Sequence, residues 1–266
     1  MTDPIPLKTE KTVAPSSALQ CRNMVAIASG KGGVGKTWFA ITLCHALAKR
    51  GKHVLLFDGD LGLANVDIQL GLTPERDLGA VIEGTSTLPG AVTKYAEGGF
   101  DILAGRSGSG SLATLATQKI SDLRNDLIAL ARGYDYVFVD LGAGVDRSVR
   151  QLAGPAAMTY VVTTDEPTSL TDAYAFIKLA RASNPSADMR VVVNMAGNTN
   201  EGQKTFETIR KACETFLKYN PQLAGIIRRD TKVREAIRAQ SPLLVRSPSA
   251  DAASDVDAIA ARLTGG

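Results

Sequence analysis

Between Gly30 and Thr37 the chain reads Gly-Lys-Gly-Gly-Val-Gly-Lys-Thr, a glycine-rich stretch that ends on a cation and a hydroxyl. Gly30, Gly35, Lys36 and Thr37 fill the Gly-x-x-x-x-Gly-Lys-Thr spacing of a phosphate-binding loop, with Gly32, Gly33 and Val34 inside it. Glycines let a backbone curl until successive N–H groups converge on an anion. A helix that starts where the loop ends adds its positive end at the same point. Lys36 is therefore expected to reach the β- and γ-phosphates of ATP, and the Thr37 hydroxyl to ligate Mg²⁺. Lys31, taken alone, reads as a solvated surface charge.

Carboxylates follow at the ends of two apolar runs. Residues 53–58 lead into Asp58-Gly59-Asp60, and Tyr-Val-Phe-Val leads into Asp140. Parallel strands would bring these carboxyl ends beside the phosphate loop, at the crevice where such sheets bind ligands. Asp140 reads as the aspartate that holds Mg²⁺. Asp60 is expected to position an attacking water and Asp58 to support the metal, although only geometry separates those two roles. Gly142 lies in the turn that follows Asp140, where a backbone N–H can follow a γ-phosphate. Asn194 closes the run 190–195, and its amide suits either an adenine edge or a cap on the strand end.

These groups need a scaffold, and the apolar pattern supplies one. Short apolar runs at 24–29, 53–58, 100–105, 136–141, 158–164, 190–195 and 222–227 read as strands, with a short eighth at 242–246. Amphipathic stretches between them read as helices at about 36–50, 75–83, 119–132, 145–152, 168–182, 201–218, 231–239 and 251–263. Near-continuous apolar strands imply burial on both faces, and the alternation implies right-handed crossovers. The expected fold is α/β: one doubly wound, mostly parallel sheet with helices on both faces, preceded by a disordered proline-containing arm over residues 1–22. Composition is that of a globular protein, with 44% hydrophobic and 21% charged residues. A formal charge of +3 is too balanced to imply nucleic acid, no apolar run of membrane-spanning length exists, and no signal peptide is read. Cys21, Cys44 and Cys213 have no metal-ligand spacing, and a cytoplasmic location fits.

Lys31-Gly-Gly-Val-Gly-Lys36-Thr37 resembles the loop of the MinD/ParA ATPases, and Asp58-Gly-Asp-Leu-Gly-Leu-Ala-Asn-Val-Asp-Ile-Gln-Leu-Gly71 resembles their MinD side. Four further stretches, at 103–110, 140–144, 163–179 and 191–197, are similar to the flagellar regulators called FlhG or FleN. The resemblance implies a P-loop NTPase fold of the MinD type, ATP hydrolysis with Mg²⁺, and an ATP-sandwich homodimer in which Lys31 crosses to the partner's phosphates. It also implies work on flagellar number and placement with a signal-recognition-type GTPase, switch-complex proteins or a transcriptional activator. The sequence departs from the family at Trp38, usually Asn, and at Arg228-Arg229-Asp230, where Pro is usual. The short glutamine-containing motif that stimulates a partner GTPase is not recognisable in residues 1–22.

Trp38 falls on a stripe with Thr42, His45 and Lys49, the more polar side of its helix, and is expected near the nucleotide or the dimer interface. Arg228, Arg229, Lys232, Arg234 and Arg238 form a basic stretch that a ParA-type partitioning ATPase could use on DNA, but it reads better as a solvated helix face. A metal-cluster carrier would need paired cysteines, and a ligase would need a second pocket that the sequence does not mark. The last helix carries Val256, Ile259, Ala260 and Leu263 on one stripe but three aspartates against one arginine. It is expected to pack on the sheet rather than dock on lipid, with any polar localisation coming from a protein partner.

Overall fold

The computed structural model describes residues 21–105 and 116–265. The expected arm lies outside the described residues apart from Cys21 and Arg22, and so does 106–110 of the family-like stretch at 103–110. Eight strands form a single sheet: β1 Cys21–Ala28, β2 Val54–Gly59, β3 Thr93–Tyr95, β4 Phe100–Leu103, β5 Tyr136–Leu141, β6 Ala156–Thr163, β7 Asp188–Ala196 and β8 Gln222–Arg228. Their order is β3-β4-β2-β5-β1-β6-β7-β8, parallel throughout except for the β3–β4 pair. The chain starts in the middle at β1 and winds to both sides, which leaves a crevice at the carboxyl ends of the central strands.

Helices cover both faces. α1 Lys36–Lys49, α2 Val66–Leu70, α8 Thr231–Arg238, α9 Leu243–Arg246 and α10 Asp251–Leu263 share one apolar layer. The other layer holds α3 Leu78–Ile82, α4 Thr117–Ala131, α5 Arg147–Ala153, α6 Pro167–Ser183 and α7 Thr199–Leu217. The central strands are apolar on both sides because each side meets one of these layers. β1 alternates between them, Val25 and Ile27 facing one layer and Met24 and Ala26 the other.

Three elements differ from the sequence pattern, the first being α2, which lies between the helices expected at 36–50 and 75–83. Residues 242–246 form α9 rather than a strand, with Pro242 at its N-cap. The eighth strand is β3, the antiparallel edge, whose three residues Thr-Lys-Tyr are too few and too polar to show as an apolar run. β1 also starts earlier than its apolar run: Cys21 N donates to Pro155 O at 2.8 Å and pairs in register with Ala156.

The polar stripe on α1 proves to be interior from Trp38 to His45, and only Lys49 at its end is exposed. Every residue from Lys36 to Leu47 is buried, Thr42 and His45 included. The Thr42 hydroxyl bonds back to Trp38 O at 2.8 Å, and burial lowers the His45 pKa and so keeps the ring neutral. α1 is covered because α10 packs along one flank while α2 and α9 pack on others. Ala252, Ala253, Val256, Ile259 and Ala260 of α10 are buried, as the apolar stripe suggested. Gly225 makes room for that contact, since a Cβ there would lie 2.5 Å from Ile259 Cγ1. Arg50–Asp257 and Arg228–Asp255 pairs tie α10 at its edges. Among the described residues no helix is long and apolar enough to cross a membrane. Because α10 completes the core over α1, Ile259→Ala should cost about 2–5 kcal/mol of stability in urea unfolding.

Candidate functional site

The loop between β1 and α1 turns twice through left-handed glycines, Gly33 at φ 78° and Gly35 at φ 87°. Gly35 is the N-cap of α1 and has no side chain with which to cap it, so the free N–H groups of the first turn face the crevice. Space matters as much as φ. A Cβ on Gly30 would lie 2.2 Å from the backbone of Asp172 in α6, and one on Gly35 would lie 2.4 Å from Asn194 Nδ2. Asn194, at the end of β7, donates that same amide to Val34 O at 2.8 Å. It therefore braces the loop, a role beyond the two its residue type suggested. The next residue, Met195, takes φ 57°, left-handed and strained for a side chain of its size.

Lys36 and Thr37 are both buried at the start of α1. Thr37 Oγ1 donates to Asp140 Oδ2 at 2.6 Å, which fixes the hydroxyl against the end of β5. The other oxygen, Asp140 Oδ1, is buried with no hydrogen-bond partner among the described residues. Asp58 stands opposite Asp140 in register on β2. Its carboxylate already accepts from Asp60 N at 3.2 Å, Asn65 N at 3.0 Å and Val66 N at 3.1 Å, so it caps α2. Asp60 is less enclosed; its Oδ1 accepts from Leu63 N at 3.0 Å, and it lies against Gly142, whose added Cβ would sit 3.3 Å from that oxygen. Thr37, Asp140, Asp58, Asp60 and Gly142 thus come together as expected. A hard oxygen donor set with one buried acceptor left over fits Mg²⁺.

Two residues that the sequence reading passed over also belong here. Lys31 Nζ donates to Glu166 Oε2 at 2.7 Å and to Thr168 Oγ1 at 2.9 Å, at the start of α6. The signal was present in Thr163-Thr-Asp-Glu-Pro-Thr-Ser169: Pro167 opens the helix, and Ser169 Oγ accepts from Thr164 N at 3.1 Å. Beyond the loop a cavity of about 310 Å³ opens between Gly35, Trp38, Asn194, Met195, Arg229 and Ile237, a size that suits a nucleoside. Trp38 is buried in its wall and does not project from a polar face. Of the basic stretch, Arg228 pairs with Asp251 and Asp255, both at 2.9 Å, and Lys232 pairs with Glu235 at 2.9 Å.

The electrostatics follow from burial. Burial, then the charge of Asp140, pushes the Asp58 carboxyl up to about 7 against the pull of its three N–H donors. Burial pushes Asp140 up to about 6, partly offset by Lys36 and by the Thr37 hydrogen bond. An unfolded aspartate ionises near pH 4, so between about 4 and about 7 the folded chain keeps protons that the unfolded chain has released. Stability without nucleotide should therefore fall as pH rises through that window. In Asp140→Asn the fall should shrink by on the order of 1–3 kcal/mol, read from denaturant unfolding at several pH values.

Comparison with known proteins places this arrangement. Residues 25–243 match the family described as the CobQ/CobB/MinD/ParA nucleotide binding domain. The chain is 38% identical over 240 residues to the antiactivator FleN of Pseudomonas aeruginosa, covering 90% of this chain and 85% of that protein. It is 29% identical to the flagellum site-determining protein YlxH of Helicobacter pylori, covering 90% and 81%. Among solved structures, the MinC:MinD cell division protein complex of Aquifex aeolicus is similar with a TM-score of 0.76 and 28% identity, covering 92% of this chain and 96% of that one. The septum site-determining protein MinD of Pyrococcus horikoshii, solved with Mg-ADP, shares the fold at a TM-score of 0.77 and 22% identity, covering 91% and 96%. A match that runs through most of the domain, on a fold already built around a phosphate loop, makes this chain a member of the CobQ/CobB/MinD/ParA nucleotide-binding family, a MinD-type ATPase.

Proposed function

We propose that this ATPase is a nucleotide-operated switch that regulates flagellar number, flagellar placement or flagellar gene expression. The likeness that runs through nine-tenths of the chain to an antiactivator and a flagellum site-determining protein carries this reading. The geometry supports how the switch would work. ATP lays its phosphates on the 30–37 loop, with Lys36 against the β- and γ-phosphates and the Gly32, Gly33, Val34 and Gly35 backbone around them. Thr37 and Asp140 would hold Mg²⁺, which would supply positive charge against the phosphates, with Asp58 ordering the loop beside them. Asp60 orients the attacking water, and Gly142, in contact with Asp60, couples its position to the γ-phosphate. Trp38 and Asn194 form the wall against which the nucleoside rests. ATP brings two copies together, and Lys31 of each crosses to the other's phosphates to stabilise the charge that develops on transfer.

The dimer then engages flagellar components, which by resemblance are a flagellar GTPase, switch-complex proteins or a transcriptional activator, and hydrolysis resets it. Location in the cytoplasm, polar through such a partner, goes with this reading. A ParA-type partitioning role gains little, because two of the five basic residues between 228 and 238 are spent on carboxylates. Recovery of chromosome-partition proteins instead of flagellar components in a pull-down with ATP-locked protein would overturn the flagellar reading.

Lys36→Ala should weaken ATP binding at least about tenfold, since a charged hydrogen-bonding partner of the phosphates is lost. Equilibrium dialysis with labelled ATP measures this, and unchanged affinity would remove Lys36 from the site. Asp60→Ala should still bind ATP but turn it over about a hundredfold or more slowly, and so accumulate as a dimer with Mg-ATP in size-exclusion chromatography. Normal hydrolysis by that variant would exclude Asp60 from water activation.

A further inference from the structure

The cross-subunit lysine is occupied at home. Lys31 Nζ spends one donor on Glu166 Oε2 at 2.7 Å and another on Thr168 Oγ1 at 2.9 Å. Both partners belong to its own chain, at the first turn of α6, about 135 residues downstream. The Lys31 backbone is pinned independently, because Ser29 Oγ donates to Lys31 O at 2.7 Å. Only the side chain can swing, and it cannot reach a second subunit's phosphates while its ammonium holds these two groups.

The contact is also built to open. Lys31 and Glu166 side chains are 38% and 62% exposed, so water and salt screen the pair. A buried pair would hold the lysine too firmly, and no pair at all would leave it free in every state. Glu166 has a second position in the site: it lines the cavity shared by Gly35, Trp38 and Asn194, so the carboxylate that holds Lys31 also borders the space expected for the nucleoside. Arg229 lines the same cavity and adds to Lys31 in holding the Glu166 carboxyl below the usual range. The carboxylate thus keeps a cationic neighbour when the lysine departs.

We infer that Lys31, Glu166 and Thr168 form an autoinhibitory latch, which stores the lysine against its own subunit and must open once in each copy before an ATP dimer can close. This rests on the reading that Lys31 acts across a dimer of this chain. Glu166 is a positioning residue in this scheme, acting on phosphate chemistry only through Lys31.

The test is the dimer dissociation constant of the full chain with Mg²⁺ and a non-hydrolysable ATP analogue, measured by light scattering over a range of protein concentrations. Opening two screened ion pairs per dimer implies that Glu166→Gln tightens the constant by about two- to thirtyfold. Thr168→Val should move it in the same direction by less. The same Glu166→Gln variant without nucleotide should show faster acetylation of Lys31 by mass spectrometry, a readout that a purely structural role for Glu166 would not move. If the wild type dimerises and Glu166→Gln dimerises equally or more weakly, the latch is wrong while the dimer reading stands. If the wild type forms no dimer with the analogue, the dimer reading fails and takes the latch with it.

Discussion

Asp58 and Asp140 face each other on adjacent strands, both almost wholly removed from water. Burial strips both carboxyls of solvation and holds both above their ordinary range, and the charge of Asp140 adds to the effect at Asp58. Much of the surrounding structure answers that charge problem. Three backbone N–H groups turn toward Asp58, which forces the chain after β2 into a tight loop and starts α2 at Val66. Lys36 and Thr37 come up against Asp140 from the start of α1. The remaining excess of negative charge is what a divalent cation would offset, so the electrostatic cost of the fold falls on the same few residues that suit such an ion.

The central sheet makes that juxtaposition possible. β1 lies between β5 and β6, so the loop that leaves β1 emerges beside the end of β5. β2 lies on the other side of β5, in a register that puts Asp58 level with Asp140. A slip of one residue in either strand would turn one carboxylate to the opposite face. The two apolar layers prevent such a slip, because alternate residues of each central strand are committed to different layers.

Much of this was legible in the sequence, and the limits have physical causes. The phosphate loop and the aspartates at strand ends are local patterns, each fixed by a few residues whose chemistry has little alternative use. The seven apolar strands were visible for the same reason. β3 was not, because a three-residue edge strand owes its existence to β4 and carries no pattern of its own. The run 242–246 misled because a short apolar stretch has no period long enough to separate strand from helix. Trp38, Thr42 and His45 looked like a polar face, but all three are buried, and Trp38 and Thr42 are covered by residues distant in sequence, among them Leu70, Ile237 and Leu243. Glu166 and Thr168 lay inside a recognised motif, but their contact with Lys31 spans more than 130 residues and no spacing rule encodes it.

Gly30 carries a consequence of a different kind. With a hydrogen in place of a side chain, the loop is seated directly on the Asp172 backbone, and nothing compressible separates phosphate loop from α6. Any side chain at residue 30 would have to part the loop from the helix, so the close seat depends on that one missing Cβ. The outer side of α6 carries Leu170, Thr171 and Tyr174 along a surface groove that it shares with α7. That groove therefore lies on the same helix against which the phosphate loop is seated without an intervening side chain.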